Sequence, residues 1–206
     1  MNLIRYAVFL FVLSLSGLIY AQQLNIFQSP KVGFSITKPS DWQYLTAEQN
    51  LNNLKSIKLN DKEFQAAMAQ YATTPLVVMA KFKEPYDDLN PSVKVNIKPL
   101  DQLKGTDSKQ ILSLILPQFE KSFKDFKLMQ APQDVQVGDL KAAYVRINYS
   151  LQIPDGRIFP TTSEVWIVPR GDYFFMIGAG TRQDEKNASR KEIDQIIKTI
   201  KIGDHL

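Results

Sequence analysis

The sequence predicts an α+β fold, an antiparallel β-sheet that ends in a C-terminal meander and is flanked by helices. Three observations point there. From Val135 onward, β-rich runs alternate with turn signals at Gly138-Asp139, Pro154-Asp155-Gly156 and Pro169-Arg170-Gly171-Asp172. Three other segments carry apolar residues at helical spacing. The chain has no cysteine and is 44% hydrophobic, so an ordinary core must stabilise it in place of a disulfide framework.

The elements follow in order. Met1–Arg5 holds the only early charge, and Tyr6–Ala21 is a 16-residue apolar block ending at the small residue Ala21. That is the layout of a secretory signal peptide. The block is shorter than the roughly 20 residues of a spanning helix, although an uncleaved N-terminal anchor stays open. Ile19 is bulky for its place before the cut, so the cleavage site is left open too. The expected division is therefore a leader at 1–21 and one domain at 22–206, periplasmic or secreted. The domain's length, about 185 residues, suffices for a single core.

Val32–Pro39 reads as a strand halted by Pro39, which cannot donate to a ladder. Ser40-Asp41-Trp42 turns the chain, and Thr46 with Gln49 resembles a capping box. Asp61–Ala72 places Phe64, Ala67, Met68 and Tyr71 on one helical face. Leu76–Phe82 and Val93–Ile97 read as strands, joined by an exposed loop at Glu84–Pro91. Thr106 or Asp107 caps a helix that runs to about Phe123 and buries Ile111, Leu112, Ile115, Phe119 and Phe123. Pro117 should kink or split it. Leu140–Ile153, Arg157–Val168 and Tyr173–Gly180 are the strands of the meander. A final helix starting near Asn187 or Ser189 buries Ile193, Ile196, Ile197 and Ile200.

Register gives a sharper expectation. Tyr144, Arg146 and Asn148 share one strand face, as do Thr162, Glu164 and Trp166. A three-residue loop at Pro154–Gly156 pairs Arg146 with Glu164 and Tyr144 with Trp166, satisfying charge and aromatic pairing together. A two-residue loop sets Arg146 beside Val165 instead.

Gly33-Phe34-Ser35-Ile36, followed by Pro39 and Trp42, resembles the opening of the PsbP-like superfamily, which includes photosynthetic PsbP, a Ran-binding import factor and DcrB-like proteins. The order of helix, β-meander and C-terminal amphipathic helix is similar as well. The resemblance implies an α/β/α sandwich and a non-catalytic accessory or binding module, and several bacterial members are exported. No binding motif of the superfamily carries over residue by residue.

The chemistry-bearing residues narrow the function. The single histidine is His205, at a terminus where a general base is poorly held. A Ser-His-Asp site, a histidine metal site and thiol chemistry are thus unsupported. Gly178-Ala179-Gly180 lacks the Lys and Ser/Thr of a phosphate loop. The formal charge of +4 is spread among acids rather than concentrated, so a nucleic-acid partner is not expected. Asp87-Asp88 has the chemistry for a hard cation, but two acids in a polar loop are ordinarily solvated, and Asp184-Glu185 falls just before the last helix, where negative charge complements the helix dipole. Arg170-Gly171-Asp172 matches an adhesion tripeptide yet sits where a turn needs Gly and Asp.

The expected protein is an exported, non-catalytic accessory that binds another envelope protein, with no catalytic residue, metal or cofactor. Membrane contact is expected only through a retained leader. Tyr144, Arg146, Glu164 and Trp166 are the candidate ligand- or partner-binding residues. Trp42 and Tyr173 join Tyr144 and Trp166 as aromatic candidates for a contact surface, most of them equally suited to the core. The alternative is a small-ligand carrier or a carboxylate-based enzyme using the Arg146/Glu164 face.

Overall fold

A computed structural model describes residues 25–55, 75–153, 155–184 and 189–203. The expected leader, the helix at Asp61–Ala72, Pro154, Asn187 and His205 lie outside the described residues.

Seven strands form the main antiparallel sheet. They are β3 (Gln43–Tyr44), β4 (Val77–Ala80), β5 (Ser92–Pro99), β6 (Lys124–Val137), β7 (Leu140–Gln152), β8 (Ile158–Arg170) and β9 (Tyr173–Arg182), in the spatial order β3-β4-β5-β9-β8-β7-β6. A second, three-stranded sheet joins β1 (Ile26–Ser29), β2 (Phe34–Thr37) and β10 (Lys201–Ile202), with β2 in the middle. The helices are α1 (Ala47–Lys55), α2 (Ser108–Ser122) and α3 (Arg190–Lys198). The expected α+β architecture is the one observed.

Alternation along the strands builds two cores. On one sheet face Val93, Val95, Phe175 and Ile177 pack with Phe34 and Ile36 of β2 and with Ile193, Ile196 and Ile197 of α3. On the other, Val145, Ile147, Val165 and Ile167 pack under Ile111, Leu112 and Phe119 of α2. A sheet covered on both faces needs apolar residues at successive positions, which is why β8 reads Val165-Trp166-Ile167-Val168 without a polar break.

Local signals explain the element ends. Thr46 and Gln49 form the expected reciprocal box, the Thr46 amide donating to Gln49 Oε1 at 2.9 Å and the Gln49 amide to Thr46 Oγ1 at 3.1 Å. Asp107 caps α2, accepting from the Lys109 amide at 2.8 Å. Asp107→Ala is expected to cost about 1 kcal/mol, read as a drop in urea midpoint at unchanged slope. Pro117 does not split α2. Pro117 and Ser113 both lie on the exposed side, so the Ser113 carbonyl that loses its donor stays open to water.

The hairpins follow the glycines. Gly138-Asp139 and Gly171-Asp172 are two-residue turns, closed by Val137 facing Leu140 and by Arg170 facing Tyr173. Pro169 and Arg170, expected in the second turn, lie in β8, where Pro169 faces Phe174 of β9. Beyond Ile167 no residue of β7 is paired with β8 among the described residues, so the missing proline N–H breaks no ladder bond on that side. Gly138 and Gly171 have φ of 57° and 58°, but a Cβ on Gly138 meets the Ile200 carbonyl at 3.3 Å whereas one on Gly171 meets nothing within 4 Å. Each Gly→Ala change is expected to cost about 1 kcal/mol for the left-handed backbone. Gly138→Ala should lose measurably more in the same denaturation assay, because β10 blocks it.

Four strands escaped the pattern in whole or in part, the two-residue β3 and β10 together with β1 and β6. The strand β6 begins at Lys124 rather than Val135. Its residues up to Pro132 are mostly exposed and mix polar with apolar side chains, and three register irregularities against β7 fall between Lys124 and Gln133. As the edge of the sheet it needs backbone pairing only on one side. β1 is likewise a short edge strand, half-exposed along its length.

Candidate functional site

The β7–β8 register is the expected one, with Tyr144 facing Trp166 and Arg146 facing Glu164. The turn that sets it is closed by the Ile153 amide donating to the Arg157 carbonyl at 3.1 Å, with Gly156 at φ 96°. The Tyr144 and Trp166 rings touch at 5.1 Å between centroids.

The ion pair differs from the pairing the register suggests. Glu164, 2% exposed, accepts from the Tyr144 hydroxyl and from Arg190 Nε at 3.1 Å, both on Oε1. Its Oε2 is buried without a hydrogen-bond partner among the described residues. Arg190 is the first residue of α3, so the buried carboxylate ties the sheet to the start of the helix. Burial and then the Glu164 carboxylate push the Tyr144 phenol well above its usual range. Burial disfavours the charged Arg190, but the attraction of Glu164 outweighs it and holds the guanidinium above its ordinary value.

Above this pair lies a groove of about 710 Å³ between β7, β8, β9 and the start of α3. Five cations line it, Lys81, Arg146, Arg182, Arg190 and Lys191, with the acids Glu192 and Asp194. Most of this charge is internally matched. Lys81 Nζ lies 2.8 Å from Glu192 and donates to Ser189 Oγ at 3.1 Å. Arg182 bridges Asp88 at 2.8 Å and Asp184 at 2.7 Å. Arg146, half-buried in the groove wall, makes no hydrogen bond or ion pair among the described residues. Two positions along β7, Asn148 Oδ1 accepts from Thr162 Oγ1 at 2.8 Å. Its amide hydrogens have no acceptor among the described residues.

Of the four candidate site residues, only Arg146 lines this groove; Tyr144, Glu164 and Trp166 are buried in or beneath its floor at 8%, 2% and 6% exposure. Trp42 is also core at 1%, and Tyr173 is partly buried against the same cluster. Of the two readings open for these aromatics, Trp42, Tyr144 and Trp166 take the core, where they pack with residues of α3 and β2. Sequence reading missed Arg190, Lys81 and Arg182. An amphipathic helix start and two strand ends carry no local signal that they converge.

The acidic candidates Asp87, Asp88 and Asp184 hold arginines, and Glu185 lies outside the described residues. Asp87 lies 2.8 Å from Arg157, and Asp88 shares Arg182 with Asp184. No group of three metal-ligating side chains converges among the described residues. A second recess of about 350 Å³ lies between α2 and β6, lined by Leu116, Pro117, Phe126 and Leu128.

The arrangement of a long antiparallel meander, helices on both faces and a small terminal sheet defines the PsbP-like fold. LpqN of Mycobacterium tuberculosis, a protein involved in cell envelope biogenesis, shares it with a TM-score of 0.50 and 11% identity over 83% of each chain. Cyanobacterial PsbP of Synechocystis superposes with a TM-score of 0.46 and 12% identity, over 86% of this chain and 91% of its own. A Bacteroides thetaiotaomicron structure matches with a TM-score of 0.45 and 16% identity; 87% of this chain is covered but only 48% of that one, about half its length. No family model and no curated protein sequence matches the chain.

Proposed function

We propose that the protein is an exported, non-catalytic binding protein of the cell envelope that docks another protein in the groove between β7, β8, β9 and α3. The observation that carries this reading is the groove itself, where Arg146 and Asn148 present donors that the fold leaves unused. The leader-like N-terminus supports export. LpqN, of the same fold, is involved in cell envelope biogenesis, the setting proposed for this chain.

A photo-crosslinking amino acid at Asp194, on the groove rim, should trap a partner in cells. The same group at Leu114, 64% exposed on the far face, should not. Equal adducts from both positions, or none from Asp194, would sink the proposal. The groove's volume also suits a small-ligand carrier. That reading is favoured if Asp194 traps no protein while a small molecule co-purifies with the parent and not with Arg146→Gln.

A further inference from the structure

We infer that the groove recognises a single carboxylate carried on a peptide segment of the partner, held by Arg146 and Asn148. The inference rests on the groove being the docking site.

The charge balance selects the anion. Glu164 holds Arg190, Glu192 holds Lys81, and Asp88 with Asp184 hold Arg182. Arg146 is the half-buried cation of the lining left without a counter-ion among the described residues. The planar guanidinium fork accepts one carboxylate in bidentate geometry, with charge-assisted hydrogen bonds about twice as strong as neutral ones. Asn148, two residues along the same strand face, adds amide donors to the same oxygens or to a neighbouring peptide carbonyl. On the α3 side Asp194 offsets the exposed Lys191, so the lining offers no further unmatched cation to a second negative charge. A phosphate dianion or a polyanionic chain is therefore a poorer match than one isolated acid.

The shape selects the carrier. Small-molecule sites generally enclose most of their ligand. Here Met129, Gln183, Lys191 and Asp194 are exposed lining residues, so the groove lies open to solvent. An extended chain can enter, place one side chain against Arg146 and leave. Thr162, Thr181, Gln183 and Met129 supply neutral surface for its flanks.

The test is titration of the ¹⁵N-labelled protein with end-capped hexapeptides, each holding one central Glu among randomised neutral residues. The expected result is chemical-shift change confined to the β7 and β8 amides around Arg146, Asn148 and Thr162 and to the start of α3. Affinity should fall about tenfold or more with the matching Gln peptides and with Arg146→Gln. Lys191→Gln, on the exposed rim, should fall less. Amide shifts outside the groove and an unchanged unfolding midpoint establish that Arg146→Gln is folded. Several results overturn the inference: no localised shift, Glu and Gln peptides binding alike, or inorganic phosphate binding more tightly than the peptides. Acetate matching the Glu peptides overturns the peptide carrier and leaves a small carboxylate as the ligand. If any of these occurs while Asp194 still traps a partner, protein docking stands and the carboxylate inference alone falls.

Discussion

Arg190→Ala is expected to destabilise the protein by about 2–3 kcal/mol, because it leaves the Glu164 carboxylate buried without its cation. The estimate sits below the usual range for a broken buried pair because Arg190 is 45% exposed while Glu164 is 2% exposed, and water screens the exposed half. At this chain length the loss corresponds to a fall in Tm of roughly 4–12 °C. Glu164→Gln should be milder, within about 1 kcal/mol of the parent. The amide still accepts from the Tyr144 hydroxyl, no charge is buried, and Arg190 turns to solvent. The double variant should therefore resemble Glu164→Gln rather than the sum of the two losses, a coupling about as large as the Arg190→Ala loss itself, about 2–3 kcal/mol in urea denaturation. Additive losses would show that the pair is incidental to holding α3 on the sheet.

Lys94→Met has the opposite sign and is expected to stabilise the protein by about 1–2 kcal/mol at pH 7. Lys94 sits in β5 between Val78 of β4 and Gly178 of β9. Burial, and then the like charge of Lys98, lower its ammonium from 10.5 to about 8. Between pH 8 and 10.5 the unfolded chain thus binds more protons at this site than the folded one. Stability rises with pH across that window, and the penalty is greatest below it. Methionine keeps the length, buries more apolar surface and removes the penalty. The gap between variant and parent should be widest at pH 7 and narrow towards pH 10. Tyr44, pushed up to about 12 by burial, loses stability as pH rises above 10, but equally in both proteins. A gap that is the same at pH 7 and pH 10 would remove the electrostatic explanation.

What the sequence conveyed depended on whether the cause was local. The β7–β8 register was readable because Gly156 fixes a turn and because Arg146, Glu164, Tyr144 and Trp166 alternate in step across it. The isoleucines of α3 repeat at a helical period and are buried as expected. The ion pair was not readable, since Arg190 lies 26 residues beyond Glu164, on the far side of β9 in sequence. Tyr144 and Trp166 carry polar handles and looked suited to contact. Their burial is set by α3 and β2, which the strand pattern does not reveal. The first half of β6 failed for the reverse reason, since its backbone pairs with β7 while its side chains, the exposed Leu128 and Met129 among them, show no polar–apolar alternation.

The pairing of β2 with β10 has a consequence for when the protein can finish folding. The Thr37 amide donates to Thr199 Oγ1 at 2.9 Å across 162 residues of sequence, and Phe34 lies opposite Ile202. A chain growing at about 5–20 residues per second makes Thr37 roughly 8–30 s before Thr199 exists. During that interval β2 lacks its inner neighbour, and the α3 isoleucines that cover Phe34 and Ile36 are also missing. The first core can close only after nearly all the described chain has been made. Such delayed closure leaves this face of the sheet uncovered until synthesis is almost complete, while the core under α2 needs nothing beyond β9.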